Sequence, residues 1–349
     1  ERMMYLMAKT KMDLAQTRGQ FVLKGVVTRT ESDNFFKVIT TKTGKEMRLV
    51  QFGVNTQPDS TVYIDLNGMP QENVWFSKSE KDENGKRKNV TKQVPWKDRF
   101  TFKEDGYNMI GVHLGIEKVL DKDGREVNNK KVLHSFDACQ AIANSLKDDV
   151  SVFVRGNIEF GSYERNGETK HSTKFVPNQI SLCKPVDFEN PDFAPTADFK
   201  QRIVFMGIKP NEEQKKYIVS AKIVNYDSVE DTEFVIDRPE LAKMFKKHLK
   251  PYTSIDVSGF IRVEKEVEDV VIEEDYWGER NSMTKINGST TRELVITGAD
   301  PTTIDKEEYS EEKMDKALEM LKQDKQSNDD WGSSNSLSSD DDDELDALW

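Results

Sequence analysis

The chain has 349 residues, 36% of them apolar and 33% charged, and a net charge of −12. That length holds two domains of ordinary size with tails. No apolar run nears the roughly 20 residues of a membrane-crossing helix, and the first fourteen residues lack the pattern of a secretory signal, so a cytoplasmic location, in a bacterium or a phage-infected host, is expected. The two cysteines, Cys139 and Cys183, exclude a disulfide scaffold and are expected to be reduced thiols. His113, His134, His171 and His248 show no ligand spacing with them, so no metal and no cofactor are expected.

The charge is unevenly placed. Residues 1–187 carry 30 basic and 25 acidic groups, 188–304 carry 16 and 22, and 305–349 carry 5 and 16. The first half is therefore mildly basic, which favours an anionic partner there.

In chain order, residues 1–17 read as an N-terminal arm. Residues 19–40 alternate apolar and polar with β-branched content, as strands do. Thr43-Gly44-Lys45 is a turn, and the sheet continues over 47–52. Strand-like patches follow at 61–66, 73–77, 98–102 and 107–118, with a charged loop at 81–92. A helix is predicted over 135–146, capped by Ser135, with Ala138, Ile142 and Leu146 on one face. Strands follow at 150–163 and 169–183.

A linker at 186–197 is marked by Pro191 and Pro195. The same order then returns: strands at 199–208, 217–226 and 232–236, a helix at 239–249, and strands at 254–267 and 292–297. Gly156 and Gly259 fall at the same offset after their helices. The pattern predicts a tandem duplication with a shortened second copy.

Three strands, a helix and two strands is the order of an OB-fold, a five-stranded barrel. The expected fold is mainly β: a first OB domain over 18–185 with a long insertion at 54–107, and a second over 198–304. An amphipathic helix over 305–325 follows, with Ser310 as cap and Met314, Leu318 and Leu321 as its stripe. Residues 326–349 are rich in Ser, Asn and Asp and are expected to be disordered. Their end, Asp340, Asp341, Asp342, Asp343, Glu344, Leu345, Asp346, Ala347, Leu348 and Trp349, is an acidic peptide with an apolar, aromatic tip.

Paired barrels followed by an acidic tail ending in an aromatic residue resemble phage-type or bacterial single-stranded DNA-binding proteins. The resemblance covers the whole chain in architecture and is specific in sequence at 340–349. It implies a non-enzymatic protein that coats and protects single-stranded DNA in replication, recombination and repair. It also implies that the acidic tip recruits replication proteins such as a polymerase, helicase or primase. The negative second barrel departs from that pattern.

Single strands are held by cations along the backbone and aromatic faces under the bases. The insertion supplies both: Trp75, Phe76, Lys78, Arg87, Lys88, Lys92, Trp96, Lys97 and Arg99. Phe35, Arg48, Arg155, Tyr163, Arg165 and Lys170 are further candidates on the bent strands. In the second barrel Tyr217, Lys222, Tyr226, Tyr252 and Arg262 are weaker ones. The other meaning of Trp75 and Trp96 is that they pack the insertion onto the barrel. Lys103-Glu104-Asp105-Gly106 is similar to the K-x-D-G motif of nucleic-acid ligases, but Asn108 stands where arginine continues it. A hairpin turn accounts for it. Two alternative functions stay open: a protein-interaction adaptor of a replication complex, and an RNA-binding or annealing protein.

Overall fold

A computed structural model describes residues 12–41, 43–81, 85–165, 167–265, 269–270, 285–286 and 290–330. Twenty strands and three helices are placed among them. The two repeats fold as OB barrels.

The second barrel shows the topology most simply. Its strands are β14 (Thr196–Asn211), β15 (Lys216–Val224), β16 (Val229–Ile236), β17 (Thr253–Lys265) and β20 (Thr290–Asp305). β14 pairs antiparallel with β15 and β17, β15 with β16, and β17 with β20. A parallel contact, Val235 to Val295, closes β16 onto β20. Helix α2 (Pro239–His248) lies between the third and fourth strands. It buries Ala242 and Phe245 and leaves Met244 exposed. β18 (Asp269–Val270) and β19 (Lys285–Ile286) form a separate short pair. Most of the acidic loop around Glu273-Glu274-Asp275 lies outside the described residues.

The first barrel repeats this plan with β1 (Gly19–Thr28), β3 (Glu46–Gln57), β4 (Ser60–Gly68), β12 (Ser151–Arg165) and β13 (Glu168–Leu182). β2 (Phe36–Thr40) folds back on β3. The third barrel strand, β4, thus lies within the stretch read from sequence as insertion. The excursion from the barrel instead begins at 69, because the alternation of Val62, Ile64 and Leu66 points a full strand's worth of side chains into the core, and the chain rejoins the barrel sheet at Val112–Gly115, which pairs parallel with β13. Helix α1 (Ser135–Ser145) follows, and its N-cap is His134, not Ser135. The His134 ring nitrogen Nδ1 accepts the Phe136 N–H at 3.3 Å.

The two barrels form one sheet. β1 pairs antiparallel with β14, setting Phe21 opposite Phe199. One apolar core runs through both, with Phe21 edge-on to Phe175 and Phe160 against Phe234. Residues 12–17 of the N-terminal arm are also bound in. Thr17 exchanges hydrogen bonds with Val224, and Tyr309 Oη donates to the Ala15 carbonyl at 3.0 Å. Met12, Leu14 and Tyr309 pack there under helix α3 (Glu311–Asp330) through Met314 and Ala317. The helix runs five residues past its expected end, into the stretch read as disordered. Burial pushes the Tyr309 hydroxyl pKa up to about 12. Cys139 is a buried free thiol, also pushed up to about 12 by burial, and Cys183 is a free, half-buried thiol. Among the described residues no helix is long and apolar enough to cross a membrane, and no cluster of metal ligands occurs.

Candidate nucleic-acid interface

The excursion that begins at 69 builds a three-stranded arm from β5 (Asn73–Lys81), β6 (Arg87–Pro95) and β7 (Asn108–Met109). Period-two alternation divides its two faces. Val74, Phe76 and Val94 turn inward to a small core with Phe102, Tyr107 and Met109. Phe76 is therefore buried, 4.7 Å from the Phe102 ring, and has no face for a base. Lys78 and Lys92 border this side. Both lie over Tyr107, Lys78 pairs with Glu80 at 3.1 Å, and Lys92 pairs with Glu104.

The opposite face carries Trp75, Ser77, Ser79 and Lys81 on β5, opposite Gln93, Thr91, Asn89 and Arg87 on β6. The Trp75 ring is 45% exposed, which leaves an aromatic face open at the base of a polar track ending in two cations. Lys81, Arg87, Lys88 and Lys97 pair with no acid among the described residues. This is the combination that single strands need: fixed cations for phosphates and an open ring for a base.

Trp96 plays a different part. It begins the one-turn 3₁₀ segment Trp96–Asp98, and a turn follows in the 98–102 stretch where a strand was expected. Its ring meets His134 and Phe136 edge-on, and the Arg99 guanidinium lies 3.9 Å above it. Arg99 also grips Asp137 of α1 with two bonds, 2.7 and 3.0 Å long. On the far side Arg48 stacks over Phe136 at 3.9 Å. Trp96, Arg99 and Arg48 thus fasten the arm and α1 to the barrel. Burial holds the His134 pKa below the usual imidazole value, with Asp137 opposing and Arg99 adding to the shift. The neutral ring keeps the lone pair that caps the helix.

Between the barrel and the arm this leaves a cavity of about 560 Å³. Lys45 of the turn before β3 and Asn67 of β4 line it from the barrel, Trp75 and Gln93 from the arm, and His134 and Ser135 from the start of α1. Its floor depends on Gly68, where a Cβ would lie 2.2 Å from the Phe136 nitrogen. Lys45, Asn67, Gln93 and His134 were not legible as site residues, because four non-adjacent segments deliver them. The turn at Thr43-Gly44-Lys45 was the one available signal.

The remaining candidates lie elsewhere. Phe35 is buried in the barrel core. Arg155 and Lys170 are exposed on the long β12–β13 hairpin, where Lys170 stands opposite Tyr163. Arg165 lies at the end of β12, its side chain outside the described residues. In the second barrel Lys222 pairs with Asp231 at 2.6 Å, and Arg262 with Asp237 and Glu293. Tyr226 is exposed. Between β3 and β4, Gln51 donates to Asp65 at 2.9 Å and Thr61 to Asn55 at 2.7 Å. Lys103-Glu104-Asp105-Gly106 is a turn, with the Tyr107 N–H donating to the Glu104 carbonyl. Asp340–Asp343, Glu344, Leu345, Asp346, Leu348 and Trp349 lie outside the described residues.

Fold and site together define a tandem OB-fold protein with a β-arm inserted before the first helix. The chain belongs to the YorF family, whose model matches residues 81–331. Among solved structures, the wild-type single-stranded DNA binding protein from Thermus aquaticus is similar at 13% identity and a TM-score of 0.37, covering 82% of this chain and 93% of that one. A deletion mutant of the same protein gives 13% identity and 0.38, covering 82% and 94%. No curated protein matches the chain.

Proposed function

We propose that this chain is a non-enzymatic single-stranded DNA-binding protein of the phage or bacterial kind. It coats and protects single strands during replication, recombination or repair. The observation that carries the reading is the outer face of the arm, where exposed Trp75 heads a polar track that ends in Lys81 and Arg87, which pair with no acid among the described residues. A strand enters along this track, stacks a base on Trp75 and passes the cavity beside Lys45. Arg155 and Lys170 extend the path along the long hairpin. The second barrel, with Lys222 and Arg262 already paired, continues the shared sheet and stiffens it. The acidic peptide at 340–349 recruits replication proteins and competes with DNA for the basic arm.

The test is a titration of the full chain and of residues 1–335 with oligo(dT) and with duplex of equal length. The reading expects oligo(dT) to bind much more tightly than duplex, and the shortened chain to bind it at least as tightly as the full chain. Equal affinity for duplex would overturn it. An adaptor role has one observation in its favour. The hairpin of β9 (Lys118–Leu120) and β10 (Glu126–Asn128) exposes Val119, Leu120 and Val127. Loss of partner capture, with DNA affinity kept, on changing Leu120→Ser would support it.

A further inference from the structure

We infer that the cavity between the first barrel and the arm is a base-reading subsite that takes one adenine out of the bound strand. This rests on the single-strand reading and adds a base preference to it.

The cavity wall holds four carboxamides, Asn67, Gln71, Asn73 and Gln93, beside the indole of Trp75. None of the four side chains hydrogen-bonds to another described residue. Nearby amides of the same barrel are used internally: Gln51 on Asp65, Asn55 on Thr61, Asn128 on the Leu182 carbonyl and Asn129 on Glu117. The four amides at the concave surface thus keep their donors and acceptors open to a ligand. The volume of about 560 Å³ falls in the range of small-ligand pockets, about 300–1,000 Å³.

A carboxamide presents a donor and an acceptor side by side, which matches the N6 and N7 groups of adenine. Asn67 comes from the barrel side and Gln93 from the arm side, so two edges of one base can be read together. Adenine offers such a pair on both its Hoogsteen and its Watson–Crick edge. Thymine offers its methyl group on one of these sides and would leave a carboxamide unpaired, which disfavours it. The two fused rings of a purine also cover more of the indole. His134 adds a donor: its Nδ1 is taken by the Phe136 N–H, so the neutral ring carries its proton on Nε2. Lys45 supplies the cation for a neighbouring phosphate.

The experiment compares the full chain on oligo(dT) and on the same strand with adenines at regular intervals, by fluorescence anisotropy at one salt concentration. The adenine-bearing strand should bind about 5- to 100-fold more tightly. Replacing each adenine by purine without the exocyclic amine, on the unaltered protein, should lose most of that preference while keeping the stacking. In Asn67→Ala and Gln93→Ala the ratio of the two affinities should fall toward 1. Equal affinities in the unaltered protein, or a ratio that survives both substitutions together, would overturn the inference and leave the single-strand reading standing. Failure to bind either strand would contradict the single-strand reading and remove the inference with it.

Discussion

Gly156 and Gly259 occupy equivalent bulges in the two barrels. Each follows a register shift in the fourth strand, where the strand bends against the fifth. A Cβ on Gly156 would lie 2.0 Å from the Val176 carbonyl oxygen, and one on Gly259 would lie 1.8 Å from that of Val295. The backbones approach too closely for any side chain, and that approach is how a short sheet closes on itself.

Substitution of either glycine by valine should therefore cost about 3 kcal/mol or more, through forced separation of two strands. Gly207 is the control. It also adjoins a bulge, but nothing lies within 4 Å of its Cβ position. Gly207→Ala should change stability by under about 0.5 kcal/mol. Urea denaturation of the three variants measures both.

The two tryptophans of the arm should separate cleanly. Trp75→Ala should lower affinity for oligo(dT) about 5- to 100-fold, the effect of one stacked base, and leave the melting temperature unchanged. Trp96→Ala should cost about 3 kcal/mol, because it empties the space between Arg99, His134 and Phe136. Anisotropy titration and calorimetry on both variants decide the matter.

That division shows what the sequence could yield. The barrels were legible because alternation, the helix between strands and the paired glycines repeat in both copies. The arm was legible as basic and aromatic. Its side-chain roles were not, since a one-residue shift along a strand turns a ring from solvent to core. Trp75 and Phe76 are neighbours in sequence and lie on opposite faces. The start of the excursion was misplaced because Val62, Ile64 and Leu66 read alike in a barrel strand and in an inserted one. The cavity was hidden, as Lys45, Asn67, Gln93 and His134 meet only in the folded chain.

The clasp between arm and helix depends on the fork of Arg99. Both its side chain and that of Asp137 are largely buried, at 14% and 12% exposure. Removing one partner strands the other charge, so Arg99→Ala should cost about 3 kcal/mol. Arg99→Lys should recover only part of this, since an ammonium lacks the second bond and the planar stack on Trp96. Thermal unfolding followed by tryptophan fluorescence checks the order.

Glu117 predicts an acid-sensitive contact. Lys131, Ser145 and Asn129 all donate to its carboxylate, and they hold its pKa at about 2, below its ordinary 4.5. The folded state thus favours the charged form. The stability it contributes is present above pH 4.5 and is lost as pH falls from about 4.5 toward 2. The carboxylate is over a third exposed, so the effect is modest. Glu117→Gln should melt below the unaltered protein at pH 7, and the gap should close over that window.

The most direct test of the account is the salt dependence of oligo(dT) binding. Each phosphate contact on a single strand contributes about −0.7 to the slope of log K against log salt. Affinity should fall steeply with salt, and Lys81→Ala with Arg87→Ala should make the slope shallower by about 1.4. An affinity that does not respond to salt, or a slope unchanged in the double variant, would contradict a strand held along the outer face of the arm.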